Sequence, residues 1–261
     1  MLTRLTLLVF SLLLLINPQL CLGQSVRLVT SQWPPYVDNN NPEKGLGVEL
    51  VSIALNRKGY QTNTYIDSWQ RALEGVQIGV FDATCAIWKT PEREKDLLFS
   101  QPYLTNKISF IKKKETELNY RKLSDLQGFV IGIVRDYAYN DEFTQAKDLI
   151  KIPENHIIQN LLKLSEGNID ITLGDEQAIN YTLHQYSVGN PAALEFVTPP
   201  LAIKGLYLAV SKSNKNAKKI IEDFNQAINE MKQDGSYDQV ISKYASDLLV
   251  EKVSYQNNNQ R

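Results

Sequence analysis

Between Val26 and Ile87 three runs with strand-type residues alternate with two segments of helical spacing, and this alternation restricts the chain to a wound α/β sheet. Val26 to Thr30 (VRLVT) alternates apolar and polar residues. Gly47 to Gly59 places Val48, Leu50, Val51, Ala54 and Leu55 on one helical face and stops at glycine. A strand around Tyr60 to Ile66 follows, then an amphipathic helix from Trp69 to Gly79, then the apolar run Val80 to Ile87. Parallel strands joined through helices need right-handed crossovers, so this βαβαβ order predicts a mostly parallel sheet.

The third strand opens into Thr90-Pro91-Glu92-Arg93. Proline is tolerated at the first position of a helix behind a Thr N-cap, so a short helix is expected over Glu92 to Asp96 with Arg93 in its first turn. A guanidinium beside backbone N–H groups with no helical acceptor favours an anion, which makes Arg93 a candidate receptor for a carboxylate or phosphate. The first strand ends at Ser31-Gln32-Trp33-Pro34-Pro35-Tyr36, where two prolines stiffen an extended loop. Ligands of open α/β sheets bind at strand C-terminal ends, so Trp33 is expected at a ligand and Tyr36 as a plug against the core.

Beyond Tyr103 a second α/β unit begins, with strands at Lys107 to Ile111 and Phe129 to Val134 joined by a polar connector, Tyr120 to Leu126. A helix is expected from an Asp136 N-cap towards Leu149, and another over Ile157 to Glu166, stopped by Gly167-Asn168. The strand Ile169 to Leu173 then leads through Gly174-Asp175-Glu176 into a helix over Gln177 to Tyr186. Asp175 is the expected N-cap of that helix and is free to meet a ligand as well, while Glu176 is expected in solvent. After Pro199-Pro200 come a strand at Leu206 to Val210, a helix from Ala217 to Gly235 and a last helix from Tyr237 to Leu248. The end, Gln256 to Arg261, is polar.

The N-terminus has the plan of a secretory signal peptide over residues 1–23: Arg4, the apolar run Leu5 to Ile16, Pro18, and small residues near Gly23. The run is short for a membrane span. Removing it leaves 27 cations against 29 carboxylates, a charge of −2, and Cys85 as the one thiol, so no intrachain disulfide can form. His156 and His184 lack metal-ligand spacing, so no metal site is expected. Lys112-Lys113-Lys114 is the one basic run in a mildly acidic chain, which argues against nucleic acid as a partner. No nucleophile–base pair or phosphate loop is visible, so no catalytic residues and no cofactor are expected.

Four motifs give the chain a family resemblance: Trp33-Pro34-Pro35-Tyr36 after a strand, Gly45-Leu46-Gly47-Val48-Glu49-Leu50, Gly79 to Ala83 with Thr90 to Arg93 and Phe99 to Tyr103, and Gly167-Asn168-Ile169-Asp170 leading to Asp175. With Asp234-Gly235-Ser236-Tyr237 between two helices, they make the chain resemble the family-3 extracellular solute-binding proteins, the periplasmic amino-acid binders of ABC transporters. The resemblance implies a type II periplasmic binding fold with lobe 1 over 24–104 and 205–261, lobe 2 over 105–204, and two hinge crossovers near Thr105 and Lys204. It implies a periplasmic monomer that closes on a small zwitterion. An arginine matching Arg93 would hold the ligand carboxylate, a carboxylate matching Asp175 its ammonium, and an aromatic matching Trp33 its body; Cys85, Ala86, Trp88, Tyr137 and Ala138 complete the expected ligand site.

The chain departs from the pattern where small hydroxyl residues are common, with Cys85, Ala86 and Trp88 on the strand before the arginine and Asp136-Tyr137 at the second unit's first loop. Trp33, Trp88, Tyr137 and Tyr139 suggest an aromatic-lined pocket for a bulky ligand, and Asp136 would repel an anion if it faced that pocket. Two alternatives share the fold: a ligand-sensing partner of a membrane receptor in place of an ABC permease, and a periplasmic cyclohexadienyl dehydratase with Glu176 as general acid. A carboxylate needs burial to act as an acid near neutral pH.

Overall fold

Strands whose two faces are both covered read as unbroken apolar runs, and this is what the centre of the molecule shows in the computed structural model, which describes residues 24–244. β3 (Ala83–Ile87) and β8 (Ile171–Asp175) are buried at every position. β2 (Gln61–Asp67) alternates exposed and half-buried residues and lies at one end of the strand order β2-β1-β3-β10-β5-β8-β6-β7, where β1 is Ser25–Ser31, β5 Leu104–Lys113, β6 Val130–Val134, β7 Ile150–Glu154 and β10 Ala202–Ser211. β7 (Ile150–Glu154) lies at the other end, where Pro153 removes no interior ladder bond. The signal-peptide reading of 1–23 and the readings beyond residue 244 fall outside the described residues.

β1 (Ser25–Ser31) pairs in parallel with β2 and β3, and β6 (Val130–Val134) in parallel with β7 and β8, as two wound units require. The two are joined by long antiparallel strands, β5 (Leu104–Lys113) and β10 (Ala202–Ser211). β10 changes partner along its length: Ala202 to Leu206 pair with β5, and Tyr207 to Val210 face β3. β4 (Leu97–Phe99) pairs with the end of β10, and β9 (Leu194–Phe196) with the end of β5. The strands β4, β7 and β9 have three to five residues each, too short for a period-2 pattern to stand out in the sequence.

Two helices carry much of the first unit's core. α1 (Leu46–Arg57) buries Leu46, Val48, Leu50, Val51, Ala54 and Leu55. The long helix Ala217–Gln233, here α6, buries Ile220, Ile221, Phe224, Ala227, Ile228 and Met231 at three- and four-residue spacing and packs on α1. Each such aliphatic or aromatic side chain contributes about 1.5–3 kcal/mol on full burial. α2 (Trp69–Gln77), α4 (Ile157–Glu166), α5 (Glu176–Gln185) and α7 (Ser236–Lys243) begin and end within a few residues of the sequence expectation, apart from the last, whose expected end lies beyond 244. α3 does not. It spans only Asp141–Gln145, and its N-cap is Asn140, whose side chain accepts from Phe143 N at 2.7 Å. Asp136 is exposed in the preceding loop with φ of +59°, a conformation that Asp tolerates, so it caps nothing. Val80, expected in the buried strand, is half exposed because β3 starts at Ala83.

Candidate functional site

The loop after β1 is built onto the start of α1. Trp33 and Val37 bridge it through reciprocal backbone bonds of 2.9 and 3.0 Å, and its carbonyls satisfy helix N–H groups that have no intrahelical acceptor, Leu46 N to Pro35 O at 3.0 Å and Gly47 N to Tyr36 O at 2.8 Å. Gly45 makes this approach feasible: a Cβ there would sit 2.8–2.9 Å from Tyr36 O, Pro35 O and Asp38 N, and its φ is +95°. The loop therefore holds Trp33 and Tyr36 rigidly at the end of β1.

Arg93 opens a single 3₁₀ turn, Arg93–Lys95, whose entry is capped by Thr90: Arg93 N donates to Thr90 Oγ1 at 3.3 Å. Arg93 is only 7% exposed, and its guanidinium lies 4.9 Å from the Trp69 ring centre and donates through Nη1 to Trp88 O at 2.6 Å. No carboxylate pairs with it among the described residues. Burial pushes its pKa down to about 10, so the cation is held at neutral pH in surroundings that disfavour it. The five N–H donors of a guanidinium cannot all be used by one carbonyl, which leaves a fork ready for an anion.

The fork lines a small cavity walled by Thr30, Trp33, Trp69, Trp88 and Tyr137, with Ser31, Ala86, Ile87 and Ala138 between them. Trp33 and Trp88 meet edge to face at 5.4 Å and 89°, and Tyr137 stands against both, at 6.3 Å from Trp33 and 5.5 Å from Trp88. These separations are those of favourable aromatic pairs, about 0.5–1.5 kcal/mol each beyond area burial. Tyr139 lies outside the wall, buried behind Trp88, with its hydroxyl accepting from Val134 N at 2.9 Å. Ala86 has a φ of +51°, unusual for a residue with a side chain, and such backbone is commonest at functional sites.

Asp175 begins α5 and accepts from Ala178 N at 2.9 Å, so the expected N-cap is present. It does not line the cavity that Arg93 lines. Oδ1 also accepts from Tyr36 Oη at 3.0 Å, and Oδ2 accepts from Asn106 Nδ2 at 2.9 Å, while Asn106 Oδ1 accepts from Trp88 Nε1 at 2.7 Å. This relay runs from the loop after β1 and the end of β3, through β5, to the start of α5. Asp175 is 3% exposed, and burial pushes its pKa up to about 6 against the opposing hydrogen bonds. Glu176, expected in solvent, is 4% exposed because it turns under β5, where Ser109 Oγ donates to it at 2.5 Å and Lys107 Nζ approaches to 3.1 Å.

Of the eight residues anticipated from the sequence, Trp33, Ala86, Trp88, Arg93, Tyr137 and Ala138 meet at one cavity. Cys85 does not. Its side chain is fully buried in the core beside a strand covered on both faces, and burial pushes the thiol up to about 12. Asp175 is sealed behind Tyr36 and Asn106. Tyr36 is buried as expected, with a polar role that its place in the loop did not reveal. Asp136, exposed, is not part of the wall. Trp69 under Arg93, Asn106 in the relay and Lys204 beside Trp88 went unread; Trp69 alone had a signal, its position directly after β2 at the ligand-binding end of the sheet.

The model of the bacterial extracellular solute-binding proteins, family 3, matches residues 26–247. The chain belongs to that family. This solute-binding protein is 26% identical over 224 residues to ABC transporter arginine-binding protein 1 of Escherichia coli, covering 83% of this chain and 88% of that one. It is 26% identical over 203 residues to a probable histidine-binding protein of Campylobacter jejuni, covering 77% and 76%. Among solved structures, an ancestral arginine-binding protein bound to arginine superposes with a TM-score of 0.70 at 22% identity, over 85% of this chain and 99% of that one. A histidine kinase sensor domain with similarity to periplasmic binding proteins superposes with a TM-score of 0.73 at 18% identity, over 85% and 96%. The fold is that of the type II periplasmic binding proteins. No helix among the described residues is long and apolar enough to cross a membrane.

Proposed function

We propose that this solute-binding protein captures a small carboxylate-bearing solute, an amino acid or a derivative of one, in the cavity at Arg93 and delivers it to an ABC-type importer. The observation that carries the reading is a buried guanidinium without a carboxylate partner among the described residues, lining an aromatic-walled cavity. The arginine- and histidine-binding functions named for its relatives support the amino-acid class. The mature chain starts near residue 24, works in the periplasm as a monomer, and binds without turnover. Glu176, the candidate acid of the enzymatic alternative, is engaged by Ser109 and Lys107 and does not line the cavity, which favours binding over catalysis.

Residues 24–104 and 205–261 form one lobe, 105–204 the other, and the paired crossovers of β5 and β10 act as the hinge. The partner change of β10 at Leu206 supports this division, because a strand shared by two sheet units is where they rotate against each other. A thermal-shift screen of small metabolites tests the reading. A ligand at about a hundred times its dissociation constant stabilises by about 2.7 kcal/mol, and Arg93→Ala abolishes the shift. Hits that shift wild type and Arg93→Ala alike would refute the site. Small-angle scattering with a hit should show compaction on binding.

A further inference from the structure

We propose that the loop after β1 and helix α5 form a latch across the cleft, in which the hydroxyls of Tyr36 and Tyr181 hold the closed form and raise solute affinity from outside the cavity at Arg93. The inference rests on the two-lobe reading, which puts the loop in one lobe and α5 in the other, and it holds for whichever solute is bound.

The loop that carries Trp33 to the cavity continues through Tyr36 to Asp38, and both of these reach α5. Tyr36 Oη donates to Asp175 Oδ1 at 3.0 Å, and Tyr181 Oη donates to Asp38 Oδ2 at 3.0 Å. Each side thus supplies one hydroxyl and one carboxylate. Asp175 and Tyr181 are six residues apart, about 9 Å along a helix axis, so the two bonds fix the tilt of α5 against the loop as well as its position. None of the four residues lines the cavity.

Asp38 is set for this contact by its own loop. Its Oδ1 accepts from Gln32 Nε2 and from Asn40 N, both at 3.0 Å, while its backbone N donates to Lys44 O at 2.9 Å. That leaves Oδ2 turned to Tyr181, with Asp38 8% exposed. Asp175 is fixed in the same way on its side, where Ala178 N donates to Oδ1 at 2.9 Å as the helix cap. Parting the lobes takes from each carboxylate a donor that only the other lobe supplies. A rigid-body opening breaks both bonds together, so both act on one equilibrium between open and closed forms. Hydrogen bonds to a charged group are among the stronger ones, and each of these should shift that equilibrium by about tenfold, the two together by about a hundredfold. The apparent affinity for a solute that binds the closed form follows the closed share.

The test is double electron–electron resonance on the solute-free mature protein, with nitroxide labels on Arg71→Cys and Gln145→Cys, exposed positions in the two lobes; Cys85 is fully buried and takes no label. The wild-type background is expected to show the short distance of the closed form beside a longer one. Tyr181→Phe should lower the closed-to-open ratio by about tenfold, and Tyr36→Phe with Tyr181→Phe by about a hundredfold. Both substitutions keep the ring and remove only the hydroxyl, and circular dichroism should match wild type; if the double variant fails to fold, Tyr181→Phe alone decides. An unchanged ratio, or a wild type without the short distance, would overturn the latch. Because no solute is present, either result leaves the assignment of Arg93 to its own thermal-shift test. One and the same short distance in every variant would overturn the two-lobe motion together with the latch, whereas two distances in an unchanged ratio would overturn the latch alone.

Discussion

Replacing Arg93 by Met should stabilise the ligand-free protein while destroying its binding. Arg93 is 7% exposed and lacks a carboxylate partner among the described residues, and burial pushes its pKa down to about 10, more than two pH units below the ordinary arginine value. For a base, a lowered folded-state pKa means that the charged form is penalised in the native state at every pH below about 10, neutral pH included. At about 1.36 kcal/mol per pH unit this penalty is about 3 kcal/mol. Against it stand the hydrogen bond to Trp88 O, worth about 1 kcal/mol net, and the contact with Trp69, worth about 1 kcal/mol. Met keeps an unbranched stem in the same space. The balance favours the variant by about 1 kcal/mol, or about 2–4 °C in Tm for a chain of this length. Binding of a carboxylate ligand should fall by tenfold at the least, since loss of one partner of a desolvated charge pair costs about 2–5 kcal/mol. Differential scanning fluorimetry of the apo proteins, with calorimetry on a screening hit, reads both effects. A variant that melts well below wild type and still binds would show that Arg93 is a structural cation, and the argument would fail.

Three further substitutions probe the framework of the site. Burial raises Asp175 to about 6, so its contribution to stability is full below about pH 4 and is lost as pH rises through about 6; the difference in unfolding free energy between Asp175→Asn and wild type should therefore grow by about 3 kcal/mol in the variant's favour from about pH 4 to pH 7, measured by denaturant titration, and a flat difference would contradict it. Asn106→Leu strands the Trp88 Nε1 donor and loses a donor to Asp175 Oδ2, which should cost about 2–4 kcal/mol in urea unfolding; a loss below about 1 kcal/mol would mean that the relay does not hold. Gly45→Ala drives a Cβ to within 2.8 Å of Tyr36 O at a φ of +95° and should destabilise by at least about 2 kcal/mol, with Trp33 fluorescence reporting the displaced loop; a neutral substitution would show that the loop does not rest on α1 as described.

What the sequence determined on its own is local. The alternation of Val26 to Ile87, the glycine stops at Gly59 and Gly167, the Thr90 cap before Arg93 and the Asp175 cap of α5 each depend on interactions within a few residues, and each can be read wherever apolar period, proline and capping chemistry agree. Asp136 misled because Asn140, further along the same loop, offered an equally good cap and took the role.

Tertiary structure decided what depends on distant partners. Tyr36 and Asp175 are 139 residues apart, and Asn106 and Asp175 are 69 apart, so no local pattern could show that the expected ammonium ligand is satisfied by the protein itself. Glu176 is buried beside Ser109 and Lys107 of β5, and Cys85 is buried because both faces of β3 are covered by the assembled sheet and helices. A carboxylate or a thiol in isolation reads as solvated or reactive, and desolvation by the assembled sheet reverses that, which is why the position of Arg93 was legible in the chain while the charge balance around it was not.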